Sequence, residues 1–161
     1  LPAETPAIGP TPQGQLIGFD FGQMQAETLA ALAEIARLRL TPWRMLLIES
    51  DQPLPQIQGV ITDPKDPMLR VIACTGAPAC ASAHQPTRDL ARALAPQIKS
   101  LLHISGCAKG CAHPTAAPLT LPATPVGFDL ICDGSASGVP NRRALSATDL
   151  IAAPTLLTKV P

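Results

Sequence analysis

Aromatic side chains are almost missing from this chain: its 161 residues include one Trp, three Phe and no Tyr. A core without rings must be packed from Leu, Ile, Val and Ala, which suits small α/β layers better than an aromatic-rich barrel. A net charge is missing as well, since 12 Lys and Arg balance 12 Asp and Glu. Without a basic field nothing draws the chain to nucleic acid or to an anionic membrane surface. No run of 18 apolar residues occurs, because even 28–40 is broken by Glu34, Arg37 and Arg39, so no segment is expected to span a bilayer. The first ten residues lack both an initiating Met and the charged-then-apolar layout of a signal peptide. The expectation is a cytoplasmic protein, and a piece of a longer polypeptide. Histidines number only three, and no two-His-one-carboxylate spacing for a mononuclear iron is evident.

Proline and cysteine are abundant instead. Nineteen prolines punctuate the sequence, and four of the five cysteines fall in two tight pairs, Cys74/Cys80 and Cys107/Cys111, with 26 residues between the pairs. Each pair follows a short apolar run, Val71-Ile72-Ala73 or Leu101-Leu102-His103-Ile104. Four thiolates on two loops at the ends of neighbouring strands suit a soft metal centre, an iron–sulfur cluster above all. Zinc is the alternative, because C-x3-C fits its usual ligand spacing although C-x5-C does not. Disulfides have no support from an odd cysteine count without a secretion signal, and inert or redox-active thiols complete the alternatives.

The order of elements follows from periodicity. Residues 1–14 are Pro-, Thr- and Gly-rich, as in a linker or tail with little order. Residues 15–50 give strand (Gln15–Phe19), helix (Gln25–Ala36), strand (Arg37–Thr41) and strand (Met45–Ile48), about half of a ferredoxin-like domain. Residues 51–69 form a Pro-rich connector with one short strand at Ile57–Ile61. Residues 70–161 form an α/β cluster-binding domain. Within it, Thr87 is expected to cap a helix over Arg88–Lys99 that Pro96 shortens, and strand, loop, helix, strand reads as a βαβ crossover placing both cysteine loops at one edge. Strands at Leu119–Leu121 and Val126–Cys132 follow, then a short helix capped by Ser146. The lone Cys132 reads as a small buried residue. No internal repeat is visible.

The segments Val71-Ile72-Ala73-Cys74-Thr75-Gly76 and Leu102-His103-Ile104-Ser105-Gly106-Cys107-Ala108-Lys109-Gly110-Cys111-Ala112-His113-Pro114 resemble the cluster-binding segments of the sulfite and nitrite reductase superfamily, and within it the precorrin-3B synthases most closely. Siroheme reductases carry Pro-Asn between the last two cysteines, where this chain has Ala108-Lys109; that departure disfavours a siroheme sulfite or nitrite reductase half. The resemblance implies a C-terminal half, with a ferredoxin-like half-domain ahead of the cluster domain. It implies a 4Fe–4S cluster on Cys74, Cys80, Cys107 and Cys111, and a separate mononuclear non-heme iron. The implied reaction is the oxygen-dependent hydroxylation and lactonisation of precorrin-3A in aerobic cobalamin biosynthesis, fed by an NAD(P)H-linked electron donor. Leu38-Arg39-Leu40-Thr41-Pro42-Trp43-Arg44 also resembles the superfamily, which makes Arg44 a candidate for a tetrapyrrole carboxylate, with Arg39 behind it and Trp43 a packing residue. Lys109 and His113 flank Cys111 and are candidates for substrate carboxylates or proton transfer. A non-enzymatic module stapled by zinc or a cluster is the alternative of another class.

Overall fold

A computed structural model of the chain describes residues 5–157. They form two compact units that part between Leu69 and Arg70. The expected tail and cluster domain therefore each reach a few residues beyond what is described, at 1–4 and 158–161.

In the first unit, strands β1 (Gly9–Thr11), β2 (Gly14–Phe19), β3 (Leu38–Leu40) and β4 (Leu46–Ile48) lie in the order β1-β2-β4-β3, and β5 (Val60–Ile61) pairs with the end of β2. Helix α1 (Ala26–Ile35) connects β2 to β3. Because β4 runs antiparallel to both β2 and β3, those two are parallel to each other, as in half of a ferredoxin-like fold. The core is aliphatic apart from one ring: Ile17, Phe19, Leu32, Leu46 and Ile48. The composition of residues 1–14 suggested little order, yet β1 pairs in register with β2, Gly9 opposite Leu16. The reason is local packing. Ile8 is buried and its Cδ1 lies 2.6 Å from where a side chain at Gly18 would begin, so Gly18 makes room for it. The Pro-rich segment expected as a connector lays Leu54, Ile57 and Val60 against the same core.

The second unit is a five-stranded mixed sheet in the order β10-β9-β8-β7-β6. Strand β6 (Val71–Ala73) is parallel to β7 (Leu102–Ser105), and β7 to β8 (Ala117–Thr124); β9 (Gly127–Gly134) and β10 (Arg142–Leu145) are antiparallel. Helix α2 (Arg88–Leu94) makes the crossover from β6 to β7, and Ala95–Gln97 continues it as one tighter turn at Pro96. Buried Leu90, Ala91 and Leu94 supply the apolar stripe of α2. Helix α3 (Ala147–Ala152) is capped by Ser146, whose hydroxyl accepts the Asp149 amide N–H at 3.0 Å. Strand β8 is longer than the expected Leu119–Leu121 and takes in Pro118 and Pro122. Both sit at the ends of the stretch paired with β7, which runs from Leu119 to Pro122, so their missing N–H groups interrupt little of that ladder. No helix among the described residues is long and apolar enough to cross a membrane.

Candidate metal centre

The parallel pairing of β6 and β7 sets two loop starts side by side. Ala73 is opposite Ile104, so the first loop leaves β6 at Cys74 and the second leaves β7 just beyond, at Gly106. The ladder extends one step beyond the strands, with the Cys74 N–H donating to the Ile104 carbonyl at 3.3 Å. The first loop then folds back on itself: the Cys80 N–H donates to the Gly76 carbonyl at 2.9 Å, and the Ala83 N–H to the Cys80 carbonyl at 3.0 Å. Gly76 is required at this turn. Its φ is +69°, and a Cβ there would fall 2.6 Å from Thr87 Oγ1 and 2.8 Å from the Thr87 amide nitrogen.

Thr87 precedes α2 as expected, but its hydroxyl makes no helix cap. It donates instead to the Cys74 carbonyl at 2.7 Å, in a fully buried position. The hydroxyl thus trades a helix amide for the carbonyl that the first loop would otherwise leave unpaired.

The second loop is stitched to the first. The Gly106 N–H points at Sγ of Cys74 at 3.1 Å, and the Gly106 carbonyl accepts the His84 N–H at 2.8 Å. Ser105 Oγ donates to the Cys107 carbonyl at 2.7 Å, holding the turn that presents that thiol. All four paired cysteines, together with Ser82, Ser105, Gly106 and Lys109, line one cavity of about 290 Å³. Their thiols are free; Cys111 is exposed and the other three are half-buried. Among the described residues, no three His, Cys, Asp or Glu side chains are grouped as a single metal ion would need. The cavity presents soft sulfur donors around its wall, with one backbone N–H already directed at a sulfur. That donor set and that N–H fit a multi-iron cluster, whose thiolates bind different irons.

The remaining candidates are dispersed around this centre. Lys109 Nζ donates to Ser82 Oγ at 3.0 Å, which joins the two loops at the cavity rim. His113 follows Cys111 on the same loop, with Nε2 3.1 Å from Thr115 Oγ1. Its ring meets that of His103 edge-on at a centroid distance of 5.6 Å. His103 is wholly buried, and among the described residues neither ring nitrogen has a hydrogen-bond partner. Burial, and secondarily the neighbouring His113, depresses its pKa to about 4, so the imidazole is neutral at pH 7. Cys132 sits on β9 away from the cavity wall, and burial and Asp133 push its thiol pKa up.

Arg44 belongs to the first unit. Its guanidinium is exposed, its backbone is left-handed at φ +59°, and its stem covers Gly22, with Cδ 3.0 Å from where a Cβ would begin. Arg39 is paired with Glu49, whose carboxyl it holds below the usual range. Trp43 is half-buried in the same turn. Sequence reasoning missed Ser82, Ser105, Gly106 and Thr87. The available signal was a run of hydroxyls and glycines within a few residues of each thiol, the residue types that satisfy loop backbone next to sulfur.

No known-family profile matches the chain. A protein of Sinorhizobium sp named precorrin-3B synthase is 32% identical to it, over 78% of this chain and 32% of that protein. Among solved structures, the NirA protein of Mycobacterium tuberculosis matches with a TM-score of 0.58 and 18% identity, covering 87% of this chain and 33% of that one. The chain therefore spans about a third of the length of each. At that identity the likeness to NirA shows the fold alone, an α+β arrangement of the nitrite and sulfite reductase type. The chain is thus a homologue of about a third of the Sinorhizobium precorrin-3B synthase, and it shares the α+β fold of NirA.

Proposed function

We propose that the chain is the cluster-bearing part, lying within a C-terminal half, of an oxidoreductase like precorrin-3B synthase, acting in aerobic cobalamin biosynthesis. The observation that carries this reading is the gathering of Cys74, Cys80, Cys107 and Cys111, from two separate loops, around one cavity of about 290 Å³. A zinc ion with its four sulfurs at about 2.3 Å would pull those sulfurs to about 3.8 Å from one another. No trio of ligand side chains is so grouped among the described residues.

The four cysteines would hold a 4Fe–4S cluster, which when bound supplies single electrons to an adjacent site. The chain's own groups prepare that site. Gly106 offers its N–H to Cys74 Sγ, which favours the extra negative charge of a reduced state. Arg44 is the candidate for a propionate or acetate of precorrin-3A: its guanidinium is exposed and the structure holds its backbone in a strained conformation, a cost usually retained for a function. His113 and Lys109 stand beside Cys111 as candidates for moving a proton or meeting a carboxylate. Hydroxylation and lactone closure would use molecular oxygen and electrons from a reduced nicotinamide donor. The mononuclear iron that the resemblance implies would draw ligands from outside the described residues, among which no such set stands. Ala108-Lys109 between the last two cysteines disfavours a siroheme in place of the substrate.

The test is a chimera in which this chain replaces the matching third of the Sinorhizobium relative. Supplied with precorrin-3A, oxygen and a reduced nicotinamide system, it is expected to yield the hydroxylated lactone by mass spectrometry and to lose that activity on Cys107→Ala. Turnover that persists in Cys107→Ala would overturn the reading.

A further inference from the structure

The wall of the cysteine cavity carries one charged side chain, Lys109. Among the described residues no carboxylate pairs with it, and its ammonium bonds Ser82 Oγ on the opposite loop at 3.0 Å. On their inner side the two loops are already tied by backbone groups, through Gly106 to Cys74 Sγ and through His84 to Gly106. At the rim, the Lys109–Ser82 bond is the tie between side chains 27 residues apart. We infer that Lys109 and Ser82 form a clasp that closes the two cysteine loops over the cavity and sets one positive charge against its contents. This rests on the reading of the cavity as a cluster site and gives Lys109 a positioning role in place of a carboxylate contact.

The physical argument has two parts. A four-thiolate set is anionic, and so is a cluster held by it. An ammonium on the wall, without a carboxylate to neutralise it, lowers the free energy of added electrons there. The same ammonium has three donors on a flexible stem, so alone it would swing into water; the Ser82 oxygen fixes its direction. Removing either partner frees the rim, and removing both frees it no further.

Two measurements on the full chain test this. In the first, the reduced, metal-free chain is treated with iodoacetamide and each cysteine is followed by peptide mass spectrometry. Ser82→Ala and Lys109→Met should each speed modification of the cavity thiols by about threefold, the factor one exposed hydrogen bond allows. The double variant should match the single ones. In the second, the chain is reconstituted with iron and sulfide and its midpoint potential is titrated. Lys109→Met should lower the potential, Lys109→Arg should keep it near that of the unaltered chain, and Ser82→Ala should fall between. Unchanged alkylation rates in both single variants would overturn the clasp. Failure of the unaltered chain to take up iron and sulfide would sink the cluster reading instead, and the alkylation rates would still decide the clasp.

Discussion

The amide N–H of Gly106 donates to Sγ of Cys74 across 3.1 Å, from the loop that carries the other cysteine pair. This bond makes the two halves of the C-x5-C and C-x3-C pattern one object. It also requires that residue 106 have no side chain, because a Cβ there would fall 2.7 Å from Ala83 Cβ and 3.4 Å from Cys74 Sγ.

Gly106→Ala should therefore push the loops apart, costing about 1–3 kcal/mol in denaturant unfolding and reducing metal uptake. Gly76→Ala should cost about 2–4 kcal/mol, since it adds left-handed strain to a collision with Thr87. Gly59→Ala is the control. Its φ of +79° is similar but a Cβ there meets nothing within 4 Å, so about 1 kcal/mol is expected. Equal losses at Gly59 and Gly76 would contradict the packing argument.

His103 gives a pH dependence with a defined sign. Its folded-state pKa of about 4 lies below its ordinary value of 6.5, so the unfolded chain takes up the proton first as pH falls. The contribution is fully present above about pH 6.5 and is lost as the pH falls towards 4, by up to about 3 kcal/mol. His103→Leu should flatten this limb while changing stability at pH 7 by less than about 1.5 kcal/mol, because the buried ring nitrogens have no partner to lose among the described residues. Unfolding midpoints from pH 4 to 7 check both statements. A limb of the same slope in the variant would assign the titration to another group.

Arg44 separates stability from binding. Arg44→Gly relieves the left-handed strain at φ +59° but loosens the unfolded chain, so stability should stay within about 1 kcal/mol of the unaltered chain. Affinity of the chimera for precorrin-3A should fall at least tenfold, the loss of one charge-assisted contact. Unaltered affinity would remove Arg44 from the proposed site.

Much of this was legible because it is local. The strand before each cysteine pair, the crossover helix between them and its shortening near Pro96 all follow from apolar period and breakers. What was not legible depends on partners far apart in sequence. Ordering of Gly9–Thr11 rests on Ile8 meeting Gly18, and propensity has no knowledge of that contact. Thr87 looks like a helix cap in sequence, and only the proximity of the Cys74 carbonyl redirects its hydroxyl. The expected strand at Leu119–Leu121 stops short of β8, because only the register with β7 shows that Pro122 still pairs, with Ser105. The pairing of Lys109 with Ser82 required both loops to be folded first.

The central claim is that the four cysteines hold an iron–sulfur cluster, and the most direct measurement is the iron, acid-labile sulfide and zinc content of the chain purified without oxygen. The account predicts about four irons and four sulfides per chain, lost when Cys107 and Cys111 are both changed to Ala, with no heme absorption band. One zinc per chain and no sulfide would contradict it and make the cysteine pairs a structural clip.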